Sequence, residues 1–176
     1  MRIREANVSD GDAIRSIHLS AFDAVEREIV AKLAVDLLSE RTMPPTIALV
    51  AETGGDAIGH VAFSPATTDV ANGPKVYILA PLAVRPDHQK RGVGSLLVGD
   101  GKRRLSDMGV DVLLVYGDPE YYGRFGFSVA AAERFIPPYA IEHRLGWQGV
   151  VFSERGIPES PLQLECVPPL RDPALW

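Results

Sequence analysis

Two strongly apolar segments that flank a helix-like segment place the tightest constraint on how this chain can fold. Residues 75–84 and 110–116 are nearly continuous apolar runs, which are typical of strands buried on both faces of a sheet. Between them, apolar residues recur at the spacing of one helical face, and Gly109 follows as a good residue to end a helix. This face consists of Val93, Leu96, Leu97 and Leu105. Strand, helix and strand in this order predict a βαβ unit with a parallel strand pair.

The first of these predicted strands carries a proline, Pro81, in its interior. Proline has no N–H group to donate to a strand ladder, so a proline inside a buried strand predicts a bulge or a local separation from a neighbouring strand. We therefore expect the parallel pair to be splayed at this position.

The remaining segments predict further strands and helices around this unit. A short strand over residues 2–6 precedes two helices, and residues 46–52 and 57–66 predict an antiparallel hairpin because the turn signal TGGD separates them. A short helix begins at Pro119, and the segments QGVVFSE and LQLECV predict two more strands. The apolar faces of the two early helices are Ile14, Ile17 and Ala21 in the first, and Val25, Ile29, Leu33 and Leu37 in the second.

The predicted elements follow the order β, α, α, β, β, β, α, β, α, β, β. We interpret this order as a mixed α+β (α/β) fold with a central, mostly antiparallel sheet flanked by helices. The length of 176 residues predicts a single domain over residues 1–176. The motifs described below lie in residues 1–130, and the pattern weakens in residues 131–176.

Composition and charge argue against several classes of protein. The formal net charge is −5, whereas nucleic-acid-binding domains are usually basic, so we expect no nucleic-acid partner. The single cysteine, Cys166, cannot form an internal disulfide, which favours a reducing compartment. The N-terminal MRIREANVSDGD lacks the apolar region of a signal peptide, and no apolar run approaches the ~20 residues of a membrane span. We expect a cytoplasmic protein without membrane contact.

The basic, glycine-spaced stretch QKRGVG joins the first apolar strand to the following helix. Gly92 and Gly94 lack a Cβ atom and let a ligand approach the backbone closely. The first N–H groups of a helix have no partner within it, and the helix dipole adds positive charge, so this junction can bind an anion such as phosphate. Three basic side chains surround it: Arg85, Lys90 and Arg91. The alternative is that both glycines merely form a tight turn.

Two common phosphate-binding motifs do not match this turn. The dinucleotide-binding fingerprint needs a third glycine where Leu97 stands, and the Walker A loop needs a Gly-Lys-Ser/Thr sequence that is absent here. The absence of both motifs argues against a nucleotide-binding function.

Two segments together resemble the motifs of the GNAT N-acetyltransferase family. The stretch Gln89-Lys90-Arg91-Gly92-Val93-Gly94, preceded by LAVRPDH, resembles the family's Q-x-x-G-x-G motif for acyl-CoA binding. Downstream, YGRFGF from Tyr122 to Phe127 resembles its Y-x-x-x-G-F segment, and GDPEYYGRFGF is similar to the YhbS-like group of acetyltransferases. The resemblance reaches from Arg2 to about Phe127 and implies the GNAT acyl-CoA N-acyltransferase fold.

The resemblance implies acetyl-CoA as cosubstrate and assigns it a binding site. Backbone N–H groups of the glycine turn would hold the pyrophosphate, and the strand before the turn would pair with the pantetheine arm, as an added strand pairs with a sheet edge. Separation at Pro81 would free strand N–H groups for the thioester oxygen. The implied pyrophosphate-binding residues are Gln89, Lys90, Arg91, Gly92, Val93, Gly94 and Ser95, and the implied pantetheine-binding residues are Leu82, Ala83 and Val84.

The resemblance also assigns a catalytic role to Tyr122, whose phenol would donate a proton to the leaving thiolate. The alternative is that Tyr122 only packs against the core. Many family members carry a Glu on the strand before the glycine turn that deprotonates the amine, but residues 75–84 contain no acid. The base is therefore open, and a water chain or an amine of low pKa would remove the need for one. The candidate side chains are Glu26, Glu52, His60, Asp118 and Glu120.

The implied function is transfer of an acetyl group from acetyl-CoA to an amine of a small molecule or protein, by direct attack on the thioester. A non-catalytic acyl-CoA-binding or sensing module on the same fold is the alternative. The four histidines and Cys166 show no metal-ligand spacing, so we expect no metal. The acceptor amine and the oligomeric state, monomer or homodimer, stay open; the family builds its acceptor pocket from segments that correspond to residues 22–43 and 128–176.

Overall fold

The computed structural model describes every residue of the chain, Met1–Trp176. The strands are β1 (Arg2–Glu5), β2 (Ile47–Thr53), β3 (Asp56–Thr68), β4 (Val76–Val84), β5 (Val112–Tyr116), β6 (Phe135–Ile136), β7 (Trp147–Val151) and β8 (Leu162–Cys166). The helices are α1 (Gly11–Ala21), α2 (Arg27–Ser39), α3 (Val93–Asp107), α4 (Pro119–Gly123) and α5 (Val129–Ala132). Every predicted element is present, and the tail contains two short elements, α5 and β6, that the sequence pattern did not indicate.

The strands form a mixed sheet with the order β1-β2-β3-β4-β5-β7, and β8 pairs with β3 and β6. The pairs β1/β2, β2/β3, β3/β8 and β5/β7 are antiparallel. The pair β4/β5 is parallel, as is the short pair β6/β8. The mostly antiparallel sheet with flanking helices and the parallel βαβ pair are therefore confirmed.

The chain divides into two compact units. One comprises Met1–Phe63 with Ala80–Gly101, and the other comprises Ser64–Leu79 with Lys102–Trp176. Strands β3 and β4 each contribute residues to both units. The single domain over residues 1–176 stays a prediction.

In the first unit, an ionic network joins β1, β2 and the start of α1. Both terminal nitrogens of Arg4 donate to the Asp10 carboxylate at 2.8 Å, and its Nε donates to Glu52 at 2.7 Å. Asp10 also accepts from the Asn7 N–H at 2.8 Å, which fixes the chain as it enters α1. Bidentate guanidinium–carboxylate pairs fix geometry as well as charge, so this network sets where α1 begins.

The predicted apolar faces of the helices are largely correct, with two exceptions. Ile14 and Ile17 of α1 and Leu33 and Leu37 of α2 are buried in the core. Val25 was predicted on the face of α2, but it precedes the helix and is 89% exposed. Leu96 was predicted on the face of α3, but it is 49% exposed, whereas the other three residues of that face are buried. Spacings of three and four residues define a stripe only roughly, and a residue at its margin reaches solvent.

In the second unit, the parallel pair begins at a hydrogen-bonded corner. The buried Asp111 accepts from the Lys75 N–H through its carboxylate at 2.8 Å, and the Asp111 and Val112 N–H groups donate to the Lys75 carbonyl at 2.9 and 3.1 Å. From there β4 and β5 pair from Val76/Val112 to Leu79/Val115. The corner therefore sets the register of the only long parallel pair.

None of the helices combines the length and apolar character that crossing a bilayer requires.

Gly101 of α3 provides a sharp test of core packing. A Cβ atom at Gly101 would lie 2.0 Å from the Phe63 ring, whereas one at Gly99 would meet no atom within 4 Å. We expect Gly101→Ala to lower the free energy of unfolding by about 1–3 kcal/mol through overpacking. Gly99→Ala, the matched control, should raise it by about 0.5–1 kcal/mol through helix propensity. Urea unfolding measures both, and equal stability of the two variants would contradict the packing.

Candidate functional site

The strand residues that the sequence assigns to a ligand lie beyond the parallel ladder. The register of β4 with β5 ends at Leu79 opposite Val115. Leu82, Ala83 and Val84 follow in the last part of β4, where Ala83 is buried and the other two are half-buried. The N–H and C=O groups of these three residues are therefore not part of the β4/β5 pairing.

The turn after β4 is held in place by several hydrogen bonds. Residues Pro86–His88 form one turn of 3-10 helix, and the N–H of Gln89 donates to the Pro86 carbonyl at 3.3 Å. The Gln89 side chain donates from Nε2 to the Val84 carbonyl at 3.0 Å. The N–H of Arg85 donates to the Ile58 carbonyl of β3 at 2.9 Å. The Gln89 side chain thus connects the turn to the end of the strand. The sequence motif alone did not indicate this structural role.

The backbone of the turn is shaped to present N–H groups. Lys90 and Gly92 have φ angles of 58° and 81°, in the left-handed region that disfavours side chains, so the conformation at Lys90 is strained. Helix α3 begins at Val93, and Leu96 N–H donates to the Gly92 carbonyl at 3.0 Å. The N–H groups of Val93, Gly94 and Ser95 precede that first bond and have no partner four residues back.

Space and charge at the turn fit an anionic group. A Cβ atom on Gly92 would meet no atom within 4 Å, so the backbone there is open to a ligand. Lys90 and Arg91 are exposed and form no ion pair, whereas Arg85 lies 3.4 Å from Asp87. Two cations are therefore available beside N–H groups at the positive end of a 15-residue helix, an arrangement that binds phosphates.

Gly59 of β3 helps to position the start of α3, a role that the sequence motifs did not indicate. A Cβ atom there would lie 3.1 Å from both the Val93 and Leu97 side chains and 3.3 Å from the Ala83 carbonyl oxygen. The absent side chain lets the first turn of α3 lie close to the sheet. A glycine in the interior of an apolar strand, as in AIGHVAF, was the signal that could have indicated it.

Tyr122 lies on the short helix α4 with its ring packed and its hydroxyl free. Asp118 caps the helix by accepting from the Glu120 N–H at 2.9 Å. The half-buried Tyr122 ring makes edge-on contacts with Tyr121 and Phe127, at centroid distances of 5.1 and 5.6 Å. The hydroxyl has no hydrogen-bond partner in the protein. Burial, reinforced by Tyr121 and Asp118, raises the pKa of the Tyr122 phenol, so it stays protonated at neutral pH.

His60, a candidate base, is fully buried and paired with His18. His60 Nδ1 lies 2.9 Å from His18 Nε2, and neither ring is exposed. Burial lowers the pKa of His18 to about 4 and that of His60 well below its usual value of 6.5, with neighbouring His18 adding to the shift of His60. A group of such low pKa is too weak to deprotonate an ammonium, so this pair belongs to the core.

The other candidate bases differ in their availability. Glu52 is held by Arg4 in the ionic network, and Asp118 is occupied as a helix cap. Glu26 and Glu120 are exposed, and their carboxylates accept no hydrogen bond within the protein. Strand β4 carries no acid, as the sequence indicates. Cys166 is buried, and burial raises the pKa of its thiol, which makes it a poor nucleophile.

No group of three or more His, Cys, Asp or Glu side chains is arranged to hold a metal ion. Of the candidate groups that the sequence indicates, those that remain for chemistry are the N–H groups and cations of the turn, the Tyr122 phenol, and the exposed Glu26 and Glu120.

Comparison with known proteins identifies one family. Residues 12–127 match the model of the acetyltransferase (GNAT) family. The uncharacterized N-acetyltransferase YjhQ of Escherichia coli (strain K12) is 37% identical over 143 residues, which are 79% of this chain and 77% of that protein. The uncharacterized N-acetyltransferase YhbS of the same strain is 38% identical over 108 residues, 60% of this chain and 62% of YhbS.

Solved structures show the same fold over nearly the whole chain. The crystal structure of YhbS from Escherichia coli in complex with CoA superposes with a TM-score of 0.82, covers 97% of this chain and 92% of that one, and is 26% identical. A GNAT family acetyltransferase from Brucella melitensis in complex with acetyl-CoA gives a TM-score of 0.72 at 27% identity, over 92% and 93% of the two chains. The structural similarity therefore extends to residues 131–176, which the sequence motifs do not cover.

The buried histidine pair predicts an acid-sensitive fold. Both pKa values are lower in the folded protein than in the unfolded chain, so the neutral pair stabilises the fold above pH 6.5, and this contribution is lost as the pH falls. From pH 6.5 to about 4, His18 alone accounts for about 3 kcal/mol of unfolding free energy. The pKa of Asp10 is lowered from 3.8, chiefly by its hydrogen bonds from Arg4, so its effect lies at lower pH.

Urea unfolding at pH 7, 6 and 5 measures this loss. His143→Gln, which removes an exposed histidine, should give the same pH profile as the native sequence. An unfolding free energy that stays constant between pH 7 and pH 5 would contradict the assignment of two neutral, buried rings.

Proposed function

This chain belongs to the GNAT family of acetyltransferases, and we propose that it transfers an acetyl group from acetyl-CoA to an amine by direct attack on the thioester. The observation that carries the proposal is the turn between β4 and α3, where open backbone N–H groups meet two unpaired cations. Relatives that share the fold were crystallised with CoA and with acetyl-CoA. When bound, acetyl-CoA supplies the activated acetyl thioester.

The turn binds the pyrophosphate in this proposal. Backbone N–H groups from Gln89 to Ser95 line it, with those of Val93, Gly94 and Ser95 at the start of the helix. The N–H of Gln89 itself donates to Pro86, so its part is to hold the turn in shape. Lys90 and Arg91 neutralise phosphate charge, and the open space at Gly92 admits the group close to the backbone.

The last part of β4 binds the pantetheine arm. Leu82, Ala83 and Val84 lie beyond the β4/β5 ladder, so those of their N–H and C=O groups that point away from β3 are available to an extended amide chain. The Val84 carbonyl accepts from the Gln89 side chain, which leaves its second lone pair for the ligand. Pairing along the strand would fix the distance between the turn and the reacting carbonyl.

Tyr122 is the proposed proton donor to the departing sulfur. Its hydroxyl has no partner in the protein and is protonated at neutral pH, and burial raises the pKa of the phenol further. That pKa lies above the value of ~8.5 for an ordinary thiol, so complete proton transfer is uphill. The environment therefore supports donation of a hydrogen bond that stabilises negative charge on the sulfur as it leaves.

The acceptor in this proposal is an amine of a small molecule or a protein. No acid stands on β4, so the amine reaches the site neutral, or loses its proton through water or through an exposed acid such as Glu26 or Glu120. A reaction in the cytoplasm agrees with the single, buried and unpaired cysteine.

Ligand-induced stabilisation tests the binding site. Because a ligand that binds only the folded protein raises its apparent stability with concentration, acetyl-CoA and CoA should raise the melting temperature, whereas ATP and NAD should have much weaker effects. Lys90→Ala/Arg91→Ala should reduce the shift, and Arg155→Ala, which removes an exposed arginine outside the turn, should retain it. Stabilisation by ATP or NAD but not by acetyl-CoA would overturn the proposal.

Tyr122→Phe tests the proton donor. We expect this variant to keep the acetyl-CoA-induced thermal shift and to lower kcat on the order of 100-fold, the contribution typical of a positioned acid. Turnover is followed as thiol release with a panel of small amines and peptides with free α-amines. Tyr121→Phe is the matched control, because it keeps the ring that contacts the Arg124 guanidinium at 4.6 Å.

Two results would argue against this mechanism. Unchanged turnover in Tyr122→Phe would remove the tyrosine from catalysis. Binding of acetyl-CoA without thiol release for any amine in the panel would favour a sensing module on the same fold.

A further inference from the structure

The segment that carries Tyr122 is held at both ends by β7 and the residue just before it. We call residues 117–128 the tyrosine segment. At one end the Gly117 N–H donates to the carbonyl of Gly146, the residue before β7, at 2.9 Å. At the other end Ser128 and Gly149 of β7 exchange two N–H···O=C bonds, both 2.9 Å long. Four consecutive residues, 146–149, therefore contain the anchors for both ends of the tyrosine segment.

Gln148 adds a buried side-chain contact to the first anchor. It is 2% exposed, and its Nε2 donates to the carbonyls of Gly117 and Gly146 at 3.3 and 3.4 Å. The Gln148 backbone pairs with Val115 of β5. Moving the Gly117 carbonyl away would leave the buried Gln148 amide without one of its hydrogen-bond partners, which costs stability. Gln148 therefore restrains the position of the Gly117 peptide.

Gly117 is in direct contact with the tyrosine ring. A Cβ atom at Gly117 would lie 2.5 Å from Cε2 and 3.1 Å from Cδ2 of Tyr122. Its φ angle does not lie in the left-handed region, so an alanine is compatible with the backbone there. The glycine is needed because the Tyr122 ring occupies the space that a side chain would fill.

A further hydrogen bond restrains the middle of the tyrosine segment. Lys102 of α3 donates from Nζ to the Phe125 carbonyl, and its ammonium lies 5.8 Å from the centroid of the Phe127 ring. Phe127 in turn packs edge-on against Tyr122. The ring is therefore confined by Gly117, Tyr121 and Phe127 and depends on backbone that β7 and α3 hold in place.

We propose that Gly117 and Gln148 are positioning residues for Tyr122, and that strand β7 thereby serves the acetyl-transfer reaction. This inference rests on the proposed function of Tyr122 as proton donor. It gives a role in positioning Tyr122 to part of residues 131–176, which the two sequence motifs do not reach.

A double-mutant cycle between Gly117→Ala and Tyr122→Phe tests the inference. Gly117→Ala should lower kcat on the order of 10- to 100-fold, because a displacement of about 1 Å of a catalytic group has effects of this size. The KM for acetyl-CoA should stay unchanged. In the Tyr122→Phe background, Gly117→Ala should have little further effect on kcat, because the hydroxyl it displaces is already gone.

The outcomes of the cycle separate the two proposals. If Tyr122→Phe leaves turnover unchanged, the proposed function of Tyr122 fails. If Tyr122→Phe lowers turnover but Gly117→Ala does not, or if the two effects are fully additive, the positioning role alone is overturned. Gly99→Ala is the matched control, since a Cβ atom there meets nothing within 4 Å.

A spectroscopic measurement tests the contact without any acceptor. With 3-fluorotyrosine incorporated at position 122, Gly117→Ala should shift or broaden the ¹⁹F resonance, and Gly99→Ala should leave it unchanged. Gln148→Met, which removes the amide but keeps a side chain of similar length, should also shift the resonance and lower kcat at constant KM. A resonance identical in all variants would overturn the inference even if turnover changes.

Discussion

The parallel pairing of β4 with β5 is the constraint on which the rest of the structure depends. It starts at the corner where Asp111 binds the Lys75 backbone through both its carboxylate and its N–H, and it ends at Leu79. The Asp111 carbonyl also accepts from the Phe152 N–H just after β7, at 2.7 Å. One buried carboxylate residue therefore sets the register of the parallel pair and anchors the end of β7.

The two candidate functional features, the glycine turn and Tyr122, follow β4 and β5, the two strands of this pair. Beyond the end of the ladder, β4 leads into a turn whose N–H groups and cations suit a phosphate, and the strained φ of Lys90 is the conformation that the turn requires. After β5, Gly117 leads into the helix that carries Tyr122. Each lies where a strand is followed by a helix.

Sequence reasoning was least successful where burial depends on distant partners. His60 was a plausible base in the sequence, but α1 places His18 against it 42 residues away, and the pair is buried and neutral. Elements α5 and β6 have four and two residues, too short for a periodic pattern. Phe135 of β6 is nonetheless buried, and Trp147 donates to its carbonyl at 2.8 Å. Such segments are ordered by tertiary contacts rather than by local propensity.

The strand–turn–helix–strand unit, the glycine turn and Tyr122 could be predicted from the sequence, because apolar periodicity, glycine spacing and a short motif are local properties of the chain. The surroundings of these features depend on tertiary contacts that no local pattern encodes. Gly59 and Gln148 contact residues far away in sequence, and Gly117 makes room for the Tyr122 ring that the folded chain brings against it. A glycine that makes room for a ring and one that merely turns the chain are identical in sequence, and only packing distinguishes them.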